Sequence, residues 1–77
     1  MPRYFFDTHN GSLVRDEVGI VCSNFKQVLA QATAGLADFA KDAIPGGNLH
    51  DMAVRVRDDQ GRPVLQTTLR LEIKPLK

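Results

Sequence analysis

One aromatic residue and several arginines in this sequence are residue types that bind nucleic acids, provided that folding places them on one surface. Phe5 lies in a run of alternating polarity, and arginines follow at positions 55, 57 and 70. An exposed ring can stack on bases, and guanidinium groups contact phosphates. The pattern therefore predicts a binding surface of Phe5, Arg55, Arg57 and Arg70. The competing interpretation, which we favour, is that the arginines pair with carboxylates on neighbouring strands and solvate an open sheet face.

A second group of polar residues lies near the first turn of the chain: Asp7, His9, Asn10, Asp16 and Glu17. Carboxylates and an imidazole are groups that bind divalent metals or exchange protons. Their spacing matches no metal-binding loop, however, and Asp and Asn are common in turns for local backbone reasons. Cys22 has no base beside it and is expected to be a small buried residue. We therefore predict no catalytic residue, no metal site, no cofactor and no enzymatic activity.

The longest element is a helix predicted over residues 24–43, because apolar residues recur there at intervals of three and four. The apolar stripe consists of Phe25, Val28, Leu29, Ala32, Leu36, Phe39, Ala40 and Ala43. Ser23 or Asn24 can cap the start of the helix, and Asn24 has Gln27 at the spacing of a capping box. Pro45 and the two glycines after it end the helix at 44–47. Gly35 costs about 1 kcal/mol in a helix interior and is expected to allow close approach of a strand or a partner helix.

Alternating polarity and turn residues predict four strands, over about residues 3–9, 12–21, 51–57 and 63–73. Asn10-Gly11 favours a hairpin turn between the first two strands, and the polar turn at 58–61 joins the last two. Gly19 predicts a bulge or bend within the second strand. The strands therefore form two antiparallel hairpins, one on each side of the helix in the sequence.

These elements predict a single α+β domain over residues 1–77 with the order β-β-α-β-β. The expected architecture is a four-stranded, mainly antiparallel sheet with the long helix packed across one face. The predicted inner face holds Tyr4, Phe6, Met52, Val54, Val56, Leu65, Leu69 and Leu71. The predicted outer face holds Arg3, Phe5, Asp7, His9, Arg55, Arg57, Gln66, Thr68, Arg70 and Glu72. The pattern leaves the order of the strands in the sheet open.

Composition narrows the classes of function. The chain has 77 residues, and ten Lys and Arg residues against nine Asp and Glu give a formal net charge of +1. Many nucleic-acid-binding domains are far more basic. A single cysteine cannot form an intramolecular disulfide, and no apolar run is long enough for a signal peptide or a membrane span. We therefore expect a soluble cytoplasmic protein that does not contact membranes.

Short motifs over nearly the whole chain resemble a family of small alphaproteobacterial, largely rhizobial, proteins. The motifs are residues 1–7, the pair Asn10-Gly11, residues 15–19 and the aspartate-rich turn at 58–64. Members of that family share this opening and a central alanine-rich helix, and where they usually have Asp-Gly this chain has Asn10-Gly11. The family is of unknown function. The resemblance therefore implies the domain boundaries and a bacterial source, and it assigns no catalytic residue.

The order of a hairpin, a long helix and further strands is also similar to antitoxin modules of the HicB type, which hold a small toxin. The acidic, glycine-rich hairpin sequence typical of those antitoxins is not present, so this likeness concerns the fold alone. We predict a small non-enzymatic interaction or structural module that self-associates or binds a protein partner. The alternative is a nucleic-acid-binding or antitoxin-like regulatory protein that uses the open face of the sheet.

Overall fold

Six elements make up the computed structural model, which describes residues 2–43, 51–71 and 74–76. In chain order they are β1 (Arg3–His9), β2 (Leu13–Val14), β3 (Ile20–Val21), α1 (Phe25–Ala43), β4 (Met52–Arg57) and β5 (Pro63–Leu69). The α+β class is confirmed, with one helix and an antiparallel sheet. The predicted helix stop at 44–47, His50, Glu72 and Ile73 lie outside the described residues.

The sheet has five strands instead of the four predicted. Its order is β2-β1-β4-β5, and β3 also pairs with β1. The strand expected over 12–21 is broken into β2 and β3. Val14 of β2 pairs with Thr8 and Ile20 of β3 pairs with Tyr4, so three residues of β1 (5–7) lie opposite five residues of the connection (15–19). The two additional residues cannot stay in register with β1, and the segment leaves the sheet. The bend that Gly19 predicted is therefore a complete interruption of the strand.

The last strand is shorter than predicted. It ends at Leu69, which lies opposite Met52, instead of continuing to residue 73. A register shift near its start places Leu65 opposite Val56 and Pro63 opposite Arg57. The residue between them, Val64, is therefore the additional residue of a β-bulge.

The core lies between α1 and the sheet, and the helix packs mainly against β4. The buried residues are Cys22, Val28, Ala32, Leu36, Ala40, Met52, Val54 and Val56, with Tyr4, Phe6, Phe39 and Leu65 packed against them. Two helical residues predicted to be in the core stripe are largely exposed, Phe25 at 59% and Leu29 at 44%. On the sheet, Leu69 is 38% exposed and Leu71 lies outside the core cluster. Because the helix lies mainly over β4, sheet residues to either side of it are left uncovered, and helical residues that do not face β4 stay exposed.

Reciprocal hydrogen bonds cap the start of α1, as the sequence predicted. The backbone N–H of Gln27 donates to Oδ1 of Asn24 at 2.9 Å, and Oε1 of Gln27 accepts from the backbone N–H of Ser23 at 2.7 Å. These bonds satisfy backbone donors that have no partner within the helix. Cys22, two residues before the cap, is buried as expected. No helix among the described residues is both long and apolar enough to cross a membrane.

Replacing Gly35 with alanine is expected to stabilise the fold by about 1 kcal/mol, because alanine is the better helix former. Gly35 is exposed, and a Cβ built there meets no atom within 4 Å. The expected close approach of a strand is therefore wrong for the described residues. Urea denaturation of wild type and Gly35→Ala measures the difference in unfolding free energy. A destabilised variant would contradict the open surroundings of Gly35.

Candidate binding surface on the outer face of the sheet

The register of the strands brings three of the four predicted surface residues to one region. Phe5 lies opposite Arg57, and Arg55 lies on the same strand two residues before Arg57. Arg70 is far from Phe5 and Arg57, because it lies seven positions along the chain from Pro63, the partner of Arg57 in the next strand. That spacing corresponds to about 20 Å of extended chain. The fourth residue is therefore at the opposite end of the sheet.

Arg57 is held by two neighbours on β1. Its Cζ lies 4.6 Å from the centroid of the Phe5 ring, which is a cation–π contact. Its Nε donates to Oδ2 of Asp7 at 3.0 Å, and the two side chains are only 18% and 13% exposed. The guanidinium group thus covers a face of the ring and neutralises a partly buried carboxylate. This is the paired arrangement that we favoured from the sequence.

The remaining arginines of the predicted surface also have partners within the chain. Nε of Arg55 donates to Oε1 of Gln66 at 2.9 Å, although the Arg55 side chain is exposed. Nη2 of Arg70 lies 3.0 Å from Oδ2 of Asp51, and this contact holds the pKa of Asp51 below its usual value. Both interactions are exposed to solvent, so each contributes little to stability.

The Asp16 loop, defined as residues 15–19, folds around one carboxylate. Oδ2 of Asp16 accepts from the backbone N–H of Phe6 at 3.0 Å. Its Oδ1 accepts from the backbone N–H groups of Val18 and Gly19 at 3.0 and 3.1 Å. Phe6 lies in the part of β1 opposite the interruption between β2 and β3, so the carboxylate supplies an acceptor there. Asp16 therefore connects the loop to the sheet.

The Asp16 loop is also tied to the Arg57 cluster. The backbone N–H of Asp16 donates to Oδ1 of Asp7 at 2.8 Å, and its carbonyl accepts from Nη2 of Arg57 at 2.6 Å. Nη1 of Arg3 donates to the carbonyl of Val18 at 2.8 Å. Strands β1 and β4 and the loop thus form one network, in which the carboxylates of Asp7 and Asp16 accept hydrogen bonds from backbone N–H groups and from the Arg57 guanidinium group.

The electrostatics of Asp16 follow from these contacts. Burial raises the pKa of the Asp16 carboxyl group, whereas the backbone donors of Phe6, Val18 and Gly19 and the charge of Arg57 lower it. The lowering effects are together larger, so the pKa lies below its usual value. The carboxylate is therefore ionised at neutral pH and acts as a hydrogen-bond acceptor.

The sequence suggested a polar group near the first turn, and among its members the structure brings Asp7 and Asp16 into one hydrogen-bonded network. His9 and Glu17 are exposed, and Oδ1 of Asn10 is buried without a hydrogen-bond partner. Within the described ranges, no group of three His, Cys, Asp or Glu residues is arranged to hold a metal ion. We did not predict the structural role of Asp16 from the sequence. The available signal was an aspartate three residues before a glycine, which is typical of a side-chain-stabilised turn.

A surface concavity of about 380 Å³ lies on the outer face near the end of β1. It is lined by His9, Leu13, Ala53, Arg55 and Gln66. Its polar groups come from three strands, and the Arg55–Gln66 hydrogen bond forms part of its wall. The concavity has room for a small polar group, and none of its lining residues belongs to the Arg57 network.

Comparison with models of protein families identifies a family for this chain. The model of a family described as a domain of unknown function, DUF6894, matches residues 3–70. No curated protein and no solved structure matches the chain. Membership of a family of unknown function is thus confirmed, while the alphaproteobacterial source and the specific motifs stay predictions. Because the match covers nearly the whole chain, the protein belongs to the DUF6894 family of domains of unknown function.

Proposed function

We propose that this protein is a small non-enzymatic interaction module that self-associates or binds a protein partner. The observation that supports this proposal is apolar surface left uncovered on the helix side of the sheet. A helix with its side chains is about 10 Å wide, whereas strands lie about 4.8 Å apart. Four neighbouring strands are therefore wider than one helix can cover, and a second chain is the simplest source of additional cover.

The uncovered residues lie on both sides of the helix. Ile20 is exposed and lies opposite Tyr4, whose side chain packs against the core, so Ile20 is on the helix side. Leu69 is exposed and lies opposite the buried Met52, so it also faces the helix side. On α1 itself, the exposed Phe25 and Leu29 lie one turn apart. We call Ile20, Phe25 and Leu29 the junction residues, because they flank the connection from β3 to α1.

Exposed apolar side chains are common on protein surfaces, and single ones require no explanation. These residues differ because they continue the same face that forms the core. Full burial of one such side chain contributes about 1.5–3 kcal/mol. Burying several of them would offset part of the entropic cost of association, which is at least about 4 kcal/mol. Weak, concentration-dependent association is the expected result.

The nucleic-acid alternative has less support from the geometry. It requires an open ring at Phe5 and free guanidinium groups, but Arg57 already covers the ring and is paired with Asp7. Base stacking at this position would have to displace the arginine and leave a partly buried carboxylate without its partner. Such unpaired buried charges are costly. The interaction-module proposal needs no comparable rearrangement.

Sedimentation velocity over a roughly hundred-fold range of protein concentration tests self-association. We expect the weight-average mass to exceed the monomer mass at high concentration and to fall on dilution, because apolar surface is buried reversibly. The same series in high sulfate should strengthen association, since sulfate favours apolar burial. A mass equal to the monomer at every concentration would contradict self-association.

A further inference from the structure

The two lateral strands of the sheet differ in how they are protected against pairing. β5 is seven residues long, contains no charged residue and, among the described residues, pairs only with β4. Natural edge strands are usually blocked by charges, prolines, bulges or short length. In β5, Pro63 and the bulge at Val64 protect only its start. The rest, residues 65–69, is in regular register with residues 52–56, and no other strand of the described part of the chain covers its free edge.

The other side of the sheet is blocked in the ways that natural proteins use. β2 and β3 have two residues each. The Asp16 loop interrupts them and carries Arg15, Asp16 and Glu17. An incoming strand would find neither a continuous ladder nor an uncharged edge there. Of the two sides, only β5 offers a run of backbone groups long enough to extend the sheet.

We propose that β5 pairs antiparallel with β5 of a second copy about a two-fold axis at Thr67. This inference rests on the self-association in the proposed function and assigns a surface to it. In this register Leu65 lies opposite Leu69, Gln66 opposite Thr68, and Thr67 opposite its own copy. Apolar residues meet apolar residues on the helix side, and polar residues meet polar residues on the outer side. No like charges oppose each other within the paired run.

Thr67 supplies a second, independent observation. Its Oγ1 is buried and has no hydrogen-bond partner, although the residue as a whole is half-buried. A buried hydroxyl group without a partner is uncommon, because leaving it unpaired costs free energy. Pairing across the axis would require rotation about χ1, which turns the hydroxyl group out of its buried position. Directly opposite residues have Cβ atoms about 5 Å apart, so two Thr67 hydroxyls on the two-fold axis could bond to each other.

Leu69 is the apolar residue that this pairing would cover. It is 38% exposed although it lies opposite the buried Met52. Across the two-fold axis it would contact Leu65 of the second copy, and the symmetry makes this contact twice. The two sheets would become one continuous sheet with both helices on the same side. The exposed apolar residues beside the helix in one copy would then pack against the same residues of the second copy.

Two matched double variants test the register by sedimentation velocity. Gln66→Lys with Thr68→Lys puts positive charges opposite each other at two places in the proposed dimer, whereas Gln66→Lys with Thr68→Glu puts opposite charges there. Both variants change the same two exposed positions, and both lose the hydrogen bonds of Gln66 to Arg55 and Thr68, so that loss is common to them. We expect the first to raise the dissociation constant at least about ten-fold relative to the second. Glu17→Gln, at an exposed position on the opposite side of the sheet, should leave the dissociation constant unchanged.

An isotope-filtered NMR experiment on mixed labelled and unlabelled wild-type protein gives a direct readout. We expect intermolecular contacts between the methyl groups of Leu65 and Leu69. Equal dissociation constants for the two double variants, or intermolecular contacts confined to Phe25 and Leu29, would overturn the β5 pairing while self-association stands. A wild-type protein that is monomeric at every concentration would instead remove self-association itself, and the pairing with it.

Discussion

Replacing Gly19 with alanine is expected to lower the free energy of unfolding by about 3 kcal/mol, the sum of a backbone and a steric contribution. Gly19 has a φ of +77°, a conformation that L-amino acids with a side chain rarely adopt. A Cβ at this position would lie 2.8 Å from Cγ of Arg3 and 2.9 Å from the carbonyl oxygen of Tyr4. The Arg3 side chain can move, but the Tyr4 carbonyl belongs to β1. The Asp16 loop would therefore have to shift away from the sheet.

Two other glycines separate these contributions. Gly61 has a φ of +81°, but a Cβ there meets no atom within 4 Å, so Gly61→Ala measures the backbone cost without the clash. Gly35→Ala has neither cost. Urea denaturation of the three variants should give a large loss for Gly19→Ala, a loss of about 1–2 kcal/mol for Gly61→Ala, and a gain for Gly35→Ala. Equal losses of unfolding free energy for Gly19→Ala and Gly61→Ala would show that the loop moves away from the Tyr4 carbonyl without a cost, so that the close approach of Gly19 to β1 is not rigid.

Features that depend on local periodicity could be predicted from the sequence. The helix and its Asn24 cap follow from apolar spacing and a capping motif, and the buried face of β4 follows from simple alternation. The break in the strand over 12–21 was only partly predicted. Gly19 indicated a bend, but the full interruption depends on a carboxylate reaching Phe6, which is ten residues away in the sequence. Short-range patterns do not encode such a contact.

The arrangement of the candidate surface could not be predicted for a related reason. Two hairpins can join into one sheet in several orders, and alternation along each strand is the same in all of them. The pairing of Arg57 with Asp7 joins residues fifty positions apart and exists only because β1 and β4 are neighbours. The same strand order leaves β5 at a lateral position and separates Arg70 from Phe5. Strand order therefore decides both which arginines are paired and which edge is open.

The Asp16 loop links the stability of the sheet to the proposed self-association. The Asp16 loop blocks one side of the sheet by interrupting β2 and β3, and its charged residues oppose strand addition there. If the loop is released, that side becomes a second edge that can pair. Variants that disrupt the loop should therefore both destabilise the fold and broaden its self-association. Loop contacts that look purely structural would thus determine where a second chain can bind.

Replacing Asp16 with alanine is expected to lower the free energy of unfolding by about 2–3 kcal/mol. Three backbone N–H groups lose their acceptor, and the one from Phe6 is partly buried, so water replaces the carboxylate poorly. Glu17→Ala is the matched control, because Glu17 is a neighbouring acidic residue that is exposed. Its effect should stay within about 0.5 kcal/mol. Similar losses of unfolding free energy for Asp16→Ala and Glu17→Ala would indicate a general effect of removing negative charge. They would contradict a specific role of Asp16 as the acceptor of the three backbone hydrogen bonds.

The pH dependence of the Asp16 contribution provides a stricter test. The pKa of Asp16 is lowered in the folded state, so between that value and the usual aspartate value of about 3.9 the unfolded chain binds more protons. The stabilisation is therefore complete above about pH 5 and is lost as the pH falls through the folded-state pKa. Protonated aspartate resembles asparagine in size and in having a single carbonyl acceptor. The difference in unfolding free energy between wild type and Asp16→Asn should consequently shrink as the pH falls. The pKa of Asp58 is also lowered, but Asp58 is present in both proteins, so its titration cancels in this difference. A difference that stays constant down to about pH 3 would show that ionisation of Asp16 does not hold the loop.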